Sequence, residues 1–211
     1  MCPILQIQRD QPLIGGSDMS YTVLLCGVGG QGTILAAHIL AEVAGLSGKD
    51  VKVSEIHGMS QRGGAVTTVV VFGDEVHSMV SGIGCADAIV AFEMIEALRN
   101  ISDLKLGGTL IASNEIIKPS SVLTGSFELN PNIQEELISK GAILVPAQAN
   151  AREAGSVKAS NVVLLGALAE ELDFSEQNWI DAISAHVPQK TIDINLAAFE
   201  AGRTFAREHK E

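Results

Sequence analysis

The apolar run Tyr21-Thr22-Val23-Leu24-Leu25-Cys26 passes directly into Gly27-Val28-Gly29-Gly30-Gln31-Gly32 and then into Thr33-Ile34-Leu35-Ala36-Ala37-His38-Ile39-Leu40-Ala41. Read in order, this is a buried strand, a tight glycine turn and a helix. The pattern confines the chain to the α/β class. It also marks a place for an anion. Glycines remove the Cβ atoms that would block a phosphate, and the start of the helix offers unpaired N–H groups and the positive end of its dipole.

A second glycine-rich turn follows at Glu55-Ile56-His57-Gly58-Met59-Ser60-Gln61-Arg62-Gly63-Gly64. The default meaning of G-x-G-x-x-G is a dinucleotide site with an acid about 20 positions on to hold the ribose, and Glu55 nearly meets that rule. A dinucleotide fold, however, needs a βαβ unit here. Val51-Lys52-Val53-Ser54 and Ala65-Val66-Thr67-Thr68-Val69-Val70-Val71-Phe72 are instead two strands with no crossover helix between them. They read as an antiparallel hairpin whose polar tip, His57 to Gly64, lies beside the first turn. A self-contained NAD(P)-dependent dehydrogenase of Rossmann type stays open as an alternative, as does a non-catalytic interaction module.

The candidate binding residues are therefore Gly27, Gly29, Gly30, Gln31, Gly32 and Thr33 on the first turn, with Ser60, Gln61, Arg62 and Gly63 on the second. Glu55, His57, Gly58 and Met59 complete a loop that faces a partner or an active site. Arg62 suits an anion because its planar fork grips phosphate or carboxylate through two bonds. Gln31 reads equally as a cap on the turn or as a ligand contact. Ser60 lacks the strand-turn-helix elbow of a nucleophile, so no catalytic residue is assigned. His38 and His77 have no second ligand at helical spacing, and no metal site is expected. Glu93 and Glu96 read as surface or end-of-strand acids.

Further along, Val76 to Val80 alternates as another antiparallel strand, and βα order then resumes. Strands are expected at Ala88–Phe92, Gly108–Ser113 and Ala142–Val145. Helices are expected at Glu93–Asn100, Asn130–Lys140, Gln148–Glu153, Asn161–Leu172, Ser175–His186 and Ile192–Glu208. Asn161 and Ser175 are the expected caps of their helices. The fold class is α/β: a mixed, mainly parallel sheet with an antiparallel hairpin and helices on both faces, Rossmann-like but not a true dinucleotide fold. A chain of 211 residues fits one such domain, over 19–211, with residues 1–18 as an extension outside it.

Composition removes several classes of function. A net charge of -11 without a Lys/Arg cluster argues against nucleic acid, whose phosphates need compensating cations. Cys2, Cys26 and Cys85 are too few for a disulfide framework, a zinc ribbon or an iron–sulfur cluster ligated within the chain. Residues 1–18 carry Arg9, Asp10 and two prolines in place of an apolar targeting core, and no apolar stretch reaches membrane-spanning length. The expectation is a cytoplasmic protein with no membrane.

Gly27 to Gly32, the Glu55 to Gly64 loop, Ala91-Phe92-Glu93 with Glu96-Ala97-Leu98-Arg99, Asn161-Val162-Val163-Leu164-Leu165-Gly166, Lys190 and Asn195-Leu196-Ala197-Ala198-Phe199-Glu200-Ala201-Gly202 occur in one order over roughly residues 20 to 207. Together they resemble the gamma-type subunit of the 2-oxoacid:ferredoxin oxidoreductases, above all those of indolepyruvate (arylpyruvate) type. The resemblance implies oxidative decarboxylation of a 2-oxoacid on thiamine diphosphate. It also implies electron transfer through iron–sulfur clusters to ferredoxin, and acyl transfer to coenzyme A. This chain has neither the cluster cysteines nor a thiamine-type G-D-G…N segment, so by resemblance those cofactors belong to a larger alpha subunit, through which ferredoxin is met. Its own part is to complete the active complex, with coenzyme A at the glycine turns. A homodimer of the isolated chain stays open, and the chain is not expected to be active alone.

Overall fold

The computed structural model describes residues 20–57, 64–79, 82–126 and 128–209. In chain order the elements are β1 (Tyr21–Val28), α1 (Thr33–Leu46), β2 (Asp50–His57), β3 (Ala65–Gly73), β4 (Ala86–Ala91), α2 (Met94–Asn100) and β5 (Leu104–Ser113). They continue with α3 (Ser120–Leu123), α4 (Ile133–Ser139), β6 (Ile143–Val145), α5 (Ala147–Glu153), α6 (Ser160–Ala169), α7 (Glu176–His186) and α8 (Ile192–Glu208). The strands form one sheet in the order β2-β3-β1-β4-β5-β6.

β3 is antiparallel to both of its neighbours, while β1, β4, β5 and β6 run parallel. The hairpin pairs Val53 with Val70 and His57 with Val66, which rules out a right-handed βαβ crossover at that point. The mixed architecture inferred from the missing crossover helix is the one observed.

Side-chain alternation along β1 divides the interior into two cores. Val23 and Leu25 point into the larger one, under α1, α5, α6, α7 and α8; Leu24 and Cys26 point into the smaller one, under α2 and α4. The central helix of the larger layer is α6, in which every residue from Asn161 to Ala169 is buried. A helix apolar all round must be surrounded, and α1, α5, α8 and the sheet do that.

Three local expectations are corrected. Residues 74–79 form no strand, although Val76 is buried. Asp50 accepts the Val76 N–H at 2.9 Å and the Lys52 ammonium donates to the Val76 carbonyl, so side chains of β2 satisfy the backbone that a ladder would have used. Val80 lies outside the described residues. The helix expected from Asn130 begins instead at Ile133, because the Asn130 side chain takes the Asn132 N–H at 3.0 Å and holds a turn there. Asn161 is not a cap either: α6 starts at Ser160 after Ala159, and Asn161 is buried inside its first turn. Ser175 does cap α7, accepting the Asn178 N–H at 3.2 Å.

Candidate functional site at the carboxyl ends of the central strands

The glycine turn is held from inside by Gln31. Its Oε1 accepts the Val28 N–H at 2.7 Å and its Nε2 donates to the Phe92 carbonyl at 2.9 Å, so this residue is the turn's cap. Gly27 leaves room for it: a Cβ there would lie 2.6 Å from Gln31 Oε1 and 2.9 Å from the Phe92 Cβ. Gly32 precedes α1 in the left-handed region at φ 81°, and a Cβ on it would meet Asn161 Nδ2 at 2.6 Å. Asn161 also donates to the Gly32 carbonyl, at 3.3 Å. The N–H groups of Thr33, Ile34 and Leu35 have no acceptor within the helix, as at any helix start.

β1 leads into α1 on one face of the sheet, and its neighbour β4 leads into α2 on the other. The chain thus opens a crevice beyond their carboxyl ends, the usual ligand position in an open α/β sheet. A cleft of about 440 Å³ lies there, walled by Gly30, Gln31, Gly32, Phe92, Ser113 and Asn161 together with the exposed Ile117 and Lys158. Lys158 is the one cation lining it among the described residues, and no ion pair of the described residues engages it. A second hollow of about 300 Å³ shares Leu35 and Lys158 with the cleft and adds Lys190, between the start of α6 and the start of α8.

Two buried acids open α2, directly after Phe92 of the cleft wall. Glu93 is the N-cap of α2 and Glu96 lies in its first turn; each is at most 3% exposed. Burial pushes both carboxyls up. For Glu93, hydrogen bonds from the Ile95, Glu96 and Ile117 N–H groups counter part of the rise; for Glu96, Arg99 at 3.1 Å counters it and the Glu93 charge adds to it. Burial likewise pushes the Cys26 thiol well above its ordinary value, with the Glu96 and Glu93 charges adding, so Cys26 is an inert core residue.

The structure brings Gly27, Gly29, Gly30, Gln31, Gly32 and Thr33 together. It also sets Gly64, the last residue of the second glycine-rich stretch, beside them, since the Gly29 N–H bonds the Gly64 carbonyl at 3.1 Å. Glu55 lies 3.9 Å from the His38 imidazole. Gly58, Met59, Ser60, Gln61, Arg62 and Gly63 lie outside the described residues, as do residues 1–19, and His57 is described only as the end of β2. Sequence reasoning missed Lys158, the place of Phe92 in the cleft wall and the burial of Glu93 and Glu96. No local signal marks the last of these, because glutamate is not a usual cap residue and acids are usually exposed.

An open mixed sheet with a candidate ligand cleft beside the glycine turn at its switch point makes this an α/β domain of the open, mixed-sheet kind. The pyruvate ferredoxin/flavodoxin oxidoreductase family model matches residues 22–205, and the chain belongs to that family. It is 40% identical over 195 residues to the indolepyruvate oxidoreductase subunit IorB of Thermococcus kodakarensis, covering 89% of this chain and 96% of that one. Among solved structures it resembles the keto/oxoacid ferredoxin oxidoreductase gamma subunit of Geobacter sulfurreducens, with TM-score 0.67, 28% identity, and coverage of 89% of this chain and 99% of that one. It shares the fold of part of the 2-oxoglutarate:ferredoxin oxidoreductase of Magnetococcus marinus, solved with 2-oxoglutarate, coenzyme A and succinyl-CoA bound. There the TM-score is 0.71 and the identity 23%, over 90% of this chain and 31% of that one. Among the described residues no helix is long and apolar enough to cross a membrane.

Proposed function

We propose that this chain is the non-autonomous subunit of an indolepyruvate-type 2-oxoacid:ferredoxin oxidoreductase and that its cleft receives coenzyme A. The observation that carries the reading is the cleft itself. Glycines without Cβ atoms, free N–H groups at the start of α1 and Lys158, which no ion pair of the described residues engages, meet at the switch point of a chain whose net charge is -11. The second hollow, with Lys190, extends the cationic lining, as a ligand with phosphates at separate places requires. Gly30, Gln31 and Gly32 line the cleft in this reading, Gly27, Gly29 and Thr33 shape the turn behind them, and Ser60, Gln61, Arg62 and Gly63 are proposed as further contacts to the ligand.

The donor set does not fit an iron–sulfur cluster. The whole chain has three cysteines, Cys26 is sealed in the smaller core, and no three His, Cys, Asp or Glu side chains converge among the described residues. Clusters and thiamine diphosphate are therefore assigned to a larger alpha subunit, which leaves binding and positioning as the work of this chain. That subunit is proposed to dock around the cleft, where the lining residues Ile117 and Val157 are exposed. A dinucleotide enzyme is disfavoured by the antiparallel β2–β3 register, and a purely structural module by the cation that the described residues leave without an ion pair in the cleft.

Kinetics of the assembled enzyme test the assignment. Arg62→Ala raises the apparent coenzyme A requirement while assembly is intact. Unchanged coenzyme A kinetics in that variant count against the glycine turns as the site.

A further inference from the structure

Glu93 is buried directly after Phe92, which lines the cleft. Its Oε1 accepts the Glu96 N–H at 2.6 Å and its Oε2 the Ile95 N–H at 3.0 Å, which completes the cap of α2. The same Oε2 takes a third N–H, that of Ile117, at 3.4 Å. This bond has no part in the cap. It reaches the segment after β5 whose Ile117 forms the lip of the cleft, and the Met94 N–H ties that segment again through the Glu115 carbonyl at 2.8 Å.

The neighbouring residue connects the other wall. The Phe92 carbonyl accepts from Gln31, whose other side-chain atom holds the Val28 N–H, and the Phe92 N–H bonds the Cys26 carbonyl at 2.8 Å. One line of bonds therefore runs from the glycine turn through Gln31, Phe92 and Glu93 to Ile117. Aspartate, asparagine or serine caps a helix as well as glutamate does, and a buried carboxylate is costly. The extra methylene of glutamate supplies what a cap does not need, the reach to Ile117.

We propose that Glu93 is a positioning residue for the cleft: it fixes the 114–118 lip relative to the glycine turn and so sets how tightly the cleft holds its ligand. The kinetic arm of the test rests on the coenzyme A reading above; the exchange arm does not.

Glu93→Asp keeps the two cap bonds and gives up the reach. Glu93→Gln keeps the length but replaces one acceptor oxygen with a donor that faces an N–H. Both are made in the complex with the larger subunit. For each, the thermal midpoint, deuterium exchange over 114–118, and kcat and KM for coenzyme A are measured. With Asp the expected result is a midpoint near that of the wild type. Exchange over 114–118 and the KM for coenzyme A each rise about threefold, the loss of one long hydrogen bond, and kcat is unchanged. If Asp destabilises the whole chain, Gln carries the comparison. Wild-type exchange over 114–118 in a folded variant overturns the proposal. Raised exchange with an unchanged KM upholds the strut and removes coenzyme A as the ligand of the cleft.

Discussion

Gly166 and Gly202 face each other across the crossing of α6 and α8, each set against the backbone of the opposite helix. A Cβ on Gly166 would overlap the Phe199 carbonyl oxygen, and one on Gly202 the Val163 carbonyl oxygen. The obstacles are main-chain atoms of two packed helices, so neither a rotamer change nor a neighbouring side chain can make room. Gly166→Ala and Gly202→Ala are each expected to cost more than about 3 kcal/mol, as severe overpacking of a core does. Urea unfolding of the purified chain checks this, and a change below about 1 kcal/mol in either variant would contradict the close crossing.

Gly32 is constrained twice, by φ 81° and by Asn161 Nδ2, which would lie 2.6 Å from a Cβ. Gly32→Ala is expected to destabilise by about 2 kcal/mol, roughly half from the left-handed backbone. Adding Asn161→Ala removes only the steric half. A double-mutant cycle in thermal unfolding reads the coupling, and strict additivity would mean that the two residues do not press on each other.

Glu96 is buried with one carboxylate oxygen unbonded, and burial raises its pKa. Between the ordinary glutamate value and the raised one the folded state binds more protons than the unfolded state, so this group lowers stability as pH rises through that window. Glu96→Gln is therefore expected to raise Tm by a few degrees at pH near 7.5, with the gain vanishing below the ordinary carboxylate range. Equal shifts at both pH values would refute the assigned cause.

Glu170 shows the opposite sign. Burial acts to raise its carboxyl, but hydrogen bonds from Arg207 at 3.0 Å and Arg203 at 2.8 Å outweigh burial and hold it below the ordinary value. Its contribution is present above the unfolded-state pKa and is lost as pH falls through the folded one. Glu170→Gln is expected to cost about 1 kcal/mol at neutral pH, the range for a well-formed ion pair near the surface, and nothing once the carboxyl is protonated in both the folded and unfolded states. Denaturant midpoints across pH 2.5 to 7, spanning the ordinary carboxylate range, measure it.

The parts of the fold that the sequence makes legible are those set by local chemistry. Tyr21 to Gly32 announces strand, turn and helix because its apolar run and glycines act within a few residues, and the absence of a crossover before Ala65 is enough to predict the hairpin. The helix from Ile192 to Glu208 is legible from its periodicity. What stays hidden depends on distant partners. Val76 looks like strand because its alternation is right, yet Asp50 and Lys52 bind its backbone from β2. Asn161 looks like a cap because such residues usually are, yet its amide donates to Gly32, 129 positions away. Lys158 carries no local sign of its place in the cleft, and Glu93 and Glu96 read as exposed because acids usually are.

Turnover by the assembled enzyme tests the proposed role of this chain most directly. The chain is co-expressed with the larger thiamine- and iron–sulfur-containing subunit, purified anaerobically and assayed with indolepyruvate, coenzyme A and an artificial acceptor. Lys158→Ala is run beside the wild type and each subunit alone. Activity is expected only when both subunits are present. The KM for coenzyme A is expected to rise about tenfold in Lys158→Ala, the loss of one charge-assisted contact, with the KM for indolepyruvate unchanged. Turnover without this chain, NAD-dependent activity by this chain alone, or a coenzyme A KM that ignores Lys158 would contradict the proposed role.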